Sequence, residues 1–295
     1  MIVIELLKAI LYGIVEGITE WLPISSTGHL ILLEEWLPFA FTKDAVLRAE
    51  FGEMFEVVIQ LGAILAVVVL FWSKLWPFSK KKEIADRQRT WNLWLKVVIA
   101  SVPAAMVGIL GDKLIEKLTG KDIDGWIFNP VVVAVALIVY GIAFIVIEKL
   151  HKPQSVQVET VEDITYRSAF LVGLFQILAM VPGTSRSGST ILGSMLIGFS
   201  RPVAAEFSFF MAIPVMVGAS GIKVLGFFSF LSETGTQVPP LAWGILALAC
   251  AVSFAVSMVA IRFLTDFVKR HSFASFGVYR IALGILVILY FALAR

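Results

Sequence analysis

Charge is what this chain has least of. Only 16% of its 295 residues are Asp, Glu, Lys or Arg, while 59% are hydrophobic, and mean hydropathy is +0.90. That balance excludes a soluble globular core and requires several membrane spans. The net charge of +2 carries no nucleic-acid signal, and the basic residues that exist sit in loops, as they do beside a membrane. The single cysteine, Cys250, excludes a disulfide framework. In the apolar run LALACAVSFAV it reads as a buried, inert thiol rather than a metal ligand. No cleaved leader is expected: Glu5, Lys8, Glu16 and Glu20 interrupt the first apolar run and no small-residue cleavage site follows, so the N-terminus reads as retained and structural.

Long apolar runs fall near 54–72, 94–111, 127–147, 203–228, 241–261 and 273–294, each able to cross a hydrocarbon core of about 30 Å. Two further segments are broken rather than continuous. Residues 11–32 and 171–192 share one pattern at an offset of 160, with Leu11, Gly13, Ser25, Gly28, Ile31 and Leu32 matched by identical residues. Paired broken apolar segments in two halves point to a membrane-buried site. Helix 166–181 would reach only about 24 Å, and 185–200 is equally short. Each pair therefore predicts a re-entrant hairpin whose tip, at Pro23 or Pro182, is buried in protein or lines a wet cavity.

Loop charge orients the chain. Segment 73–96 holds Lys74, Lys80, Lys81, Lys82, Arg87, Arg89 and Lys96, which places it in the cytoplasm together with 148–167 and 262–272. The loop 229–240 has no basic residue and falls outside, as do 37–50 and 112–125 with Lys43, Arg48, Lys113, Lys117 and Lys121. One hairpin plus three spans is an odd number of crossings, so the second half runs inverted. The expectation is an all-α polytopic membrane protein: a single integral-membrane domain over 1–295, with repeat one over about 1–150 and repeat two over about 164–295. Each repeat is a re-entrant helix hairpin plus three transmembrane helices, and the first hairpin enters from outside.

Chemistry gathers at the two breaks. Glu16 and Glu20 lie four apart on one helix face, and carboxylates at membrane depth persist where they bind cations, relay protons or act as acid and base. Ser25, Ser26, Thr27, Gly28 and His29 follow at a helix N-terminus, where free N–H groups and the positive dipole end suit phosphate. The second break, Ser185, Arg186, Ser187 and Gly188, repeats the hydroxyls and glycine and adds a fork-shaped anion donor, with Gln176 and Met180 where the first has carboxylates. Arg186 could instead pair with Glu16 or Glu20 in the resting site. Glu53 and Glu56 read as interfacial or as an extension of the acidic site, and Glu206 and Lys223 carry no assignment. Trp21, Trp36, Trp72, Trp76, Trp91 and Trp94 read mostly as an interface belt.

EGITEWLPISSTGHL, PGTSRSGST, FEVVIQLGAILAVV at 55–68, YRSAFLVGLFQ at 166–176, EFSFFMAIPVMVGA at 206–219 and FGVYRIALG at 276–284 closely resemble the bacterial undecaprenyl-diphosphate phosphatases of the bacitracin-resistance type. The resemblance runs over nearly the whole chain. It implies hydrolysis of undecaprenyl diphosphate to undecaprenyl phosphate and inorganic phosphate, and the outward entry of the acidic hairpin puts that reaction on the periplasmic side of the bacterial cytoplasmic (inner) membrane. It also implies a need for a divalent cation, Mg2+ or Ca2+, with Glu16 and Glu20 as the matching candidates.

The residues and the resemblance together assign Glu20, Ser26, His29 and Arg186 to catalysis. Ser25, Thr27, Gly28, Ser185, Arg186, Ser187 and Gly188 are assigned to phosphate. Three attacking groups stay open: Ser26 with His29 as base, His29 itself, or water activated by Glu20 or the metal. The partner is the undecaprenyl diphosphate lipid within the membrane, and a homo-oligomer is compatible with the chain. The rival reading is a transporter or flippase of lipid phosphate or anions, because inverted repeats with broken helices are also transporter architecture.

Overall fold

A computed structural model describes residues 2–80, 82–111, 117, 129–151 and 156–293, so Lys81, Lys113 and Lys121 of the charge count lie outside the described residues. Helices α1 (Ile2–Thr19) and α2 (Ser26–Trp36) form the first broken pair, followed by α3 (Ala45–Leu70), the short α4 (Trp72–Leu75), α5 (Ile84–Met106) and α6 (Pro130–Leu150). The second half opens with α7 (Tyr166–Ile177) and α8 (Arg186–Leu196) and continues with α9 (Arg201–Thr234), α10 (Pro240–Arg270) and α11 (Ala274–Leu293). Among the described residues the only β pairing is one isolated bridge, Val158 to Phe199.

Six helices are long and apolar enough to cross a membrane: Ala45–Leu70, Ile84–Gly111, Pro130–Leu150, Arg201–Thr234, Pro240–Arg270 and Ala274–Leu293. They match the six expected spans, and several run past the apolar stretches that announce them. Helix α3 begins at Ala45 because Asp44 caps it, its Oδ1 accepting from the N–H groups of Val46 and Leu47 at 2.9 and 3.1 Å. Helix α10 continues to Lys269 and Arg270, cations that suit the negative end of the helix.

The second pair is shorter than expected. α7 stops at Ile177, passes through a 3-10 turn at Leu178–Met180 and breaks at Pro182-Gly183. α8 starts at Arg186, after Ser185 has capped it, and ends at Leu196 before Gly198, whose φ of 93° stops the helix. Trp21 is also not an interface residue: it is fully buried, with its ring edge-on to Phe209 at 5.3 Å.

The two halves exchange packing partners. α1 lies on α10 and α7 on α5; α3 packs on α10 while α9 packs on α5; α3 meets α9 and α6 meets α11. Backbone proximity explains the glycines at these crossings. A Cβ at Gly13 would stand 2.6 Å from the Ala249 carbonyl oxygen, and one at Gly173, its counterpart at the offset of 160, would collide with Ala100. Where α6 meets α11, a Cβ on Gly141 or on Gly277 would stand 2.6 Å from the other's carbonyl oxygen. Small residues at such crossings let helices associate where lipid provides no hydrophobic drive. Glu148 ties three elements together: it receives Arg201 through two nitrogens at 2.6–3.0 Å and the Phe273 N–H at 2.6 Å.

Candidate active site

Two helix N-termini are built alike and brought to one place. Ser25 and Ser185 are the non-glycine residues with positive φ among those described, at 74° and 70°. This backbone is disfavoured for an L-residue and costs about 1–3 kcal/mol at each position. The strain turns each hydroxyl onto its own helix: Ser25 Oγ accepts from Gly28 N at 3.3 Å and Ser185 Oγ from Gly188 N at 3.2 Å. The caps use those two N–H groups. The N–H groups of the first residues of α2 and α8 have no partner inside their helices and remain for an anion.

Arg280 of α11 holds the two breaks together. Its side chain is completely buried, and its Nη1 donates to the Pro23 carbonyl at 3.1 Å. Its Nη2 donates to the carbonyls of Gly183 and Thr184 at 2.6 and 2.9 Å. One guanidinium thus satisfies carbonyls freed at both tips, while its cation lies over the Tyr140 ring at 5.4 Å. Arg280 carries no assignment from the sequence, although it stands in the FGVYRIALG run. The available signal was a charge in the middle of an apolar span, which is a functional-site flag by default.

Between the tips lies an ion pair. Glu20, in the turn after α1, receives Arg186 Nη2 on Oε1 at 3.0 Å and the Ser26 hydroxyl on Oε2 at 3.0 Å. Arg186 also donates through Nη1 to the Ser208 carbonyl at 2.7 Å. Ser187 Oγ donates to the Glu20 carbonyl at 3.1 Å. The pairing of Arg186 with Glu20, open from the sequence, is therefore present in this state. Ser26 donates to Glu20 and not to His29. The imidazole instead contacts the Ser25 carbonyl through Nδ1 at 2.7 Å and the Tyr279 hydroxyl through Nε2 at 2.7 Å. A carbonyl can only accept, so Nδ1 carries the proton and Nε2 is the bare nitrogen, receiving the Tyr279 O–H.

Glu16 is the second acid. It is fully buried, within electrostatic reach of Glu20, Glu56 and Arg186, and neither of its carboxylate oxygens has a hydrogen-bond partner. Gln176, its counterpart at the offset of 160, is equally buried with both amide atoms unpartnered. Among the described residues no three His, Cys, Asp or Glu side chains gather as a complete metal cage. The orphaned Glu16 oxygens fit a divalent cation of the kind held by one or two carboxylates and completed by substrate phosphate. Glu53 turns aside to Lys223 at 2.9 Å, and Glu206 pairs with Lys74 at 2.5 Å. Cys250 sits against the Val58 carbonyl at 3.6 Å.

Comparison with known proteins places this architecture. The family described as Bacitracin resistance protein BacA matches residues 9–286. This chain belongs to that family. A relative from Lachnoclostridium phytofermentans, named Undecaprenyl-diphosphatase, is 53% identical over 293 residues, covering 99% of each chain. Relatives of the same name from Acetivibrio thermocellus and Streptococcus mutans are 50% and 51% identical; their matches cover 99% and 98% of this chain and 100% and 97% of their own. In this BacA-family chain both strained serines, both arginines, the two acids and His29 fall inside the matched range.

Proposed function

We propose that this chain is an undecaprenyl-diphosphatase. It hydrolyses undecaprenyl diphosphate to undecaprenyl phosphate and inorganic phosphate, recycling the lipid carrier for peptidoglycan and envelope polysaccharide, and through its family it is linked to bacitracin resistance. The relatives' names support the reaction. The observation that carries it to these residues is the Glu20–Arg186 pair spanning the two breaks, with the Ser26 hydroxyl on the remaining Glu20 oxygen.

In this reading the diphosphate competes for Arg186. A phosphoryl group offers the fork two oxygens in place of one carboxylate oxygen, and the free N–H groups of α2 and α8, with the Thr27 hydroxyl, take the rest, while Ser187 braces the site through its bond to the Glu20 carbonyl. Glu20, released from Arg186, accepts the Ser26 proton. Ser26 Oγ forms a bond to the terminal phosphorus as the bond from that phosphorus to the bridging oxygen breaks, and undecaprenyl phosphate leaves. Water then displaces Ser26 from the phosphoserine, giving inorganic phosphate and restoring the hydroxyl. Donors fixed before the substrate arrives stabilise the charge that develops. His29, held by Ser25 and Tyr279, is placed to trade protons at the leaving side or with the incoming water.

Glu16, with Glu20 beside it, would hold the divalent cation, Mg2+ or Ca2+. When bound, that ion supplies charge neutralisation for the diphosphate. The multi-pass chain lies in the bacterial cytoplasmic membrane, with inverted halves and a site open to the periplasmic side. The bias of basic residues to three loops supports that orientation.

The test is phosphate release from undecaprenyl diphosphate by the purified protein, with and without excess chelator. Release that chelator silences supports both readings. Transfer of lipid phosphate across vesicles without phosphate release would make the chain a transporter, and full release in chelator would remove the cation while leaving the phosphatase.

A further inference from the structure

A second polar recess opens at the start of α5, sharing no residue with the site above. It is a cavity of about 290 Å3 between α4, the start of α5 and the segment before α7, and its lining includes Lys82, Arg89, Asn92, Lys96, Asp86 and Glu162. Lys96 is 8% exposed, and its Nζ donates to the carbonyls of Val161 and Glu162 at 3.3 and 2.9 Å. Lys82 donates to the Thr90 hydroxyl at 2.6 Å. Both ammonium groups therefore hydrogen-bond to neutral oxygens, with the Glu162 and Asp163 carboxylates within electrostatic reach of Lys96 but not bonded to it, and each keeps at least one N–H for another acceptor. Asn92 accepts the Tyr166 O–H on Oδ1 at 2.7 Å, which leaves its amide N–H groups as donors. Of the two acids, Asp86 is taken up by Arg89 at 3.4 Å and Glu162 lies exposed at the rim.

The depth of the recess is marked by aromatic rings. Trp72 stacks on Trp76 at 4.7 Å, Trp76 meets Phe78 edge-on at 5.4 Å, and Phe78 meets Trp91 edge-on at 5.8 Å. All four are exposed, and they flank lining residues Ser73 and Thr90 in the chain. Exposed tryptophans in a row belong at the boundary between headgroups and hydrocarbon. A donor-rich basic recess between helices at that depth suits one ligand chemistry, the phosphodiester of an anionic lipid. We infer that this recess binds the headgroup of an anionic glycerophospholipid of the surrounding leaflet, fastening the segment before α7 to α5. The substrate's own phosphates are handled elsewhere, at the hairpin tips.

The intact purified protein, stripped of lipid in detergent, would be titrated with phosphatidylglycerol, phosphatidylcholine or inorganic phosphate and read by native mass spectrometry. Phosphatidylglycerol should be retained at least tenfold better than phosphatidylcholine, and Lys82→Gln combined with Lys96→Met should remove that preference. Lys96→Met orphans two carbonyls and can impair folding, so Lys82→Gln with Arg89→Gln, both solvent-reachable, forms an independent arm expected to reduce retention severalfold. Equal retention of both lipids, or an unchanged preference in the second pair, overturns the assignment. Displacement of phosphatidylglycerol by millimolar inorganic phosphate would also overturn it, making the recess a free-phosphate site.

Discussion

Arg280→Met is the sharpest test of how the site is assembled, because the residue contacts neither acid and its effect follows from hydrogen-bond accounting. The substitution preserves most of the apolar stem but removes every donor to the Pro23, Gly183 and Thr184 carbonyls, which cannot turn to water. A buried acceptor left unsatisfied costs about 1–3 kcal/mol. Removing the guanidinium also relieves the cost of a buried charge balanced by dipoles and by the rings of Tyr140 and Phe144. A net destabilisation of about 3 kcal/mol follows, lowering the unfolding midpoint in detergent by about 6 °C at roughly 2 °C per kcal/mol. Activity should fall further than stability, because the breaks that carry Ser26 and Arg186 lose their common tie and a displacement of about 1 Å costs roughly a hundredfold in rate. Arg280→Lys should recover part of the thermal stability but little turnover, since one ammonium cannot reproduce a fork that reaches both tips. The assay is phosphate release at a temperature well below both midpoints. An Arg280→Met protein with wild-type melting and wild-type turnover would refute the idea that this arginine joins the hairpins.

Three further outcomes follow from the same geometry. Arg186→Ala should lower phosphate release by about 10²–10³, the range for losing one preorganised donor to developing charge, and Arg186→Lys should regain little; near-normal release by the alanine variant removes Arg186 from the reaction. Tyr279→Phe deletes one hydrogen bond to His29 Nε2, worth about 1 kcal/mol, so turnover should drop around fivefold and His29→Ala should cost much more; equal losses would place the tyrosine itself in the chemistry. For topology, cysteines at the exposed positions Lys43 and Gly235 in a Cys250→Ser background should react with an impermeant reagent in intact cells, and one at Lys80 only after permeabilisation; labelling of Lys43 and Gly235 from opposite sides would end the inverted reading.

Much of this protein is legible in its amino-acid sequence. The shortage of charge and the length of the apolar runs determine six crossing helices, because a backbone in hydrocarbon must satisfy its own hydrogen bonds and the helix is the local way to do so. Composition also determined where the chain breaks: Pro23 and Pro182-Gly183 cannot continue a helix, and the serines after them are natural caps. Acids, hydroxyls and an arginine beside those breaks were enough to expect anion chemistry at membrane depth. Helix ends were less legible, since caps such as Asp44 act through single side chains that a hydropathy pattern does not register.

Tertiary structure alone decided which groups meet. Hydrogen bonds and ion pairs act over about 3 Å, so no spacing along the chain could say that Arg186 reaches Glu20 across 166 positions, or that Ser26 faces Glu20 while His29 turns to Tyr279, 250 positions away. Nor could it show that Arg280 binds both tips, or that Glu16 is left with unpartnered oxygens. Hydrophobicity is a property each residue carries into any fold and can be read locally. The pairing of polar groups depends on how the two halves pack, and that packing rests on close approaches such as Gly141 against Gly277, which have no signature in either segment taken alone.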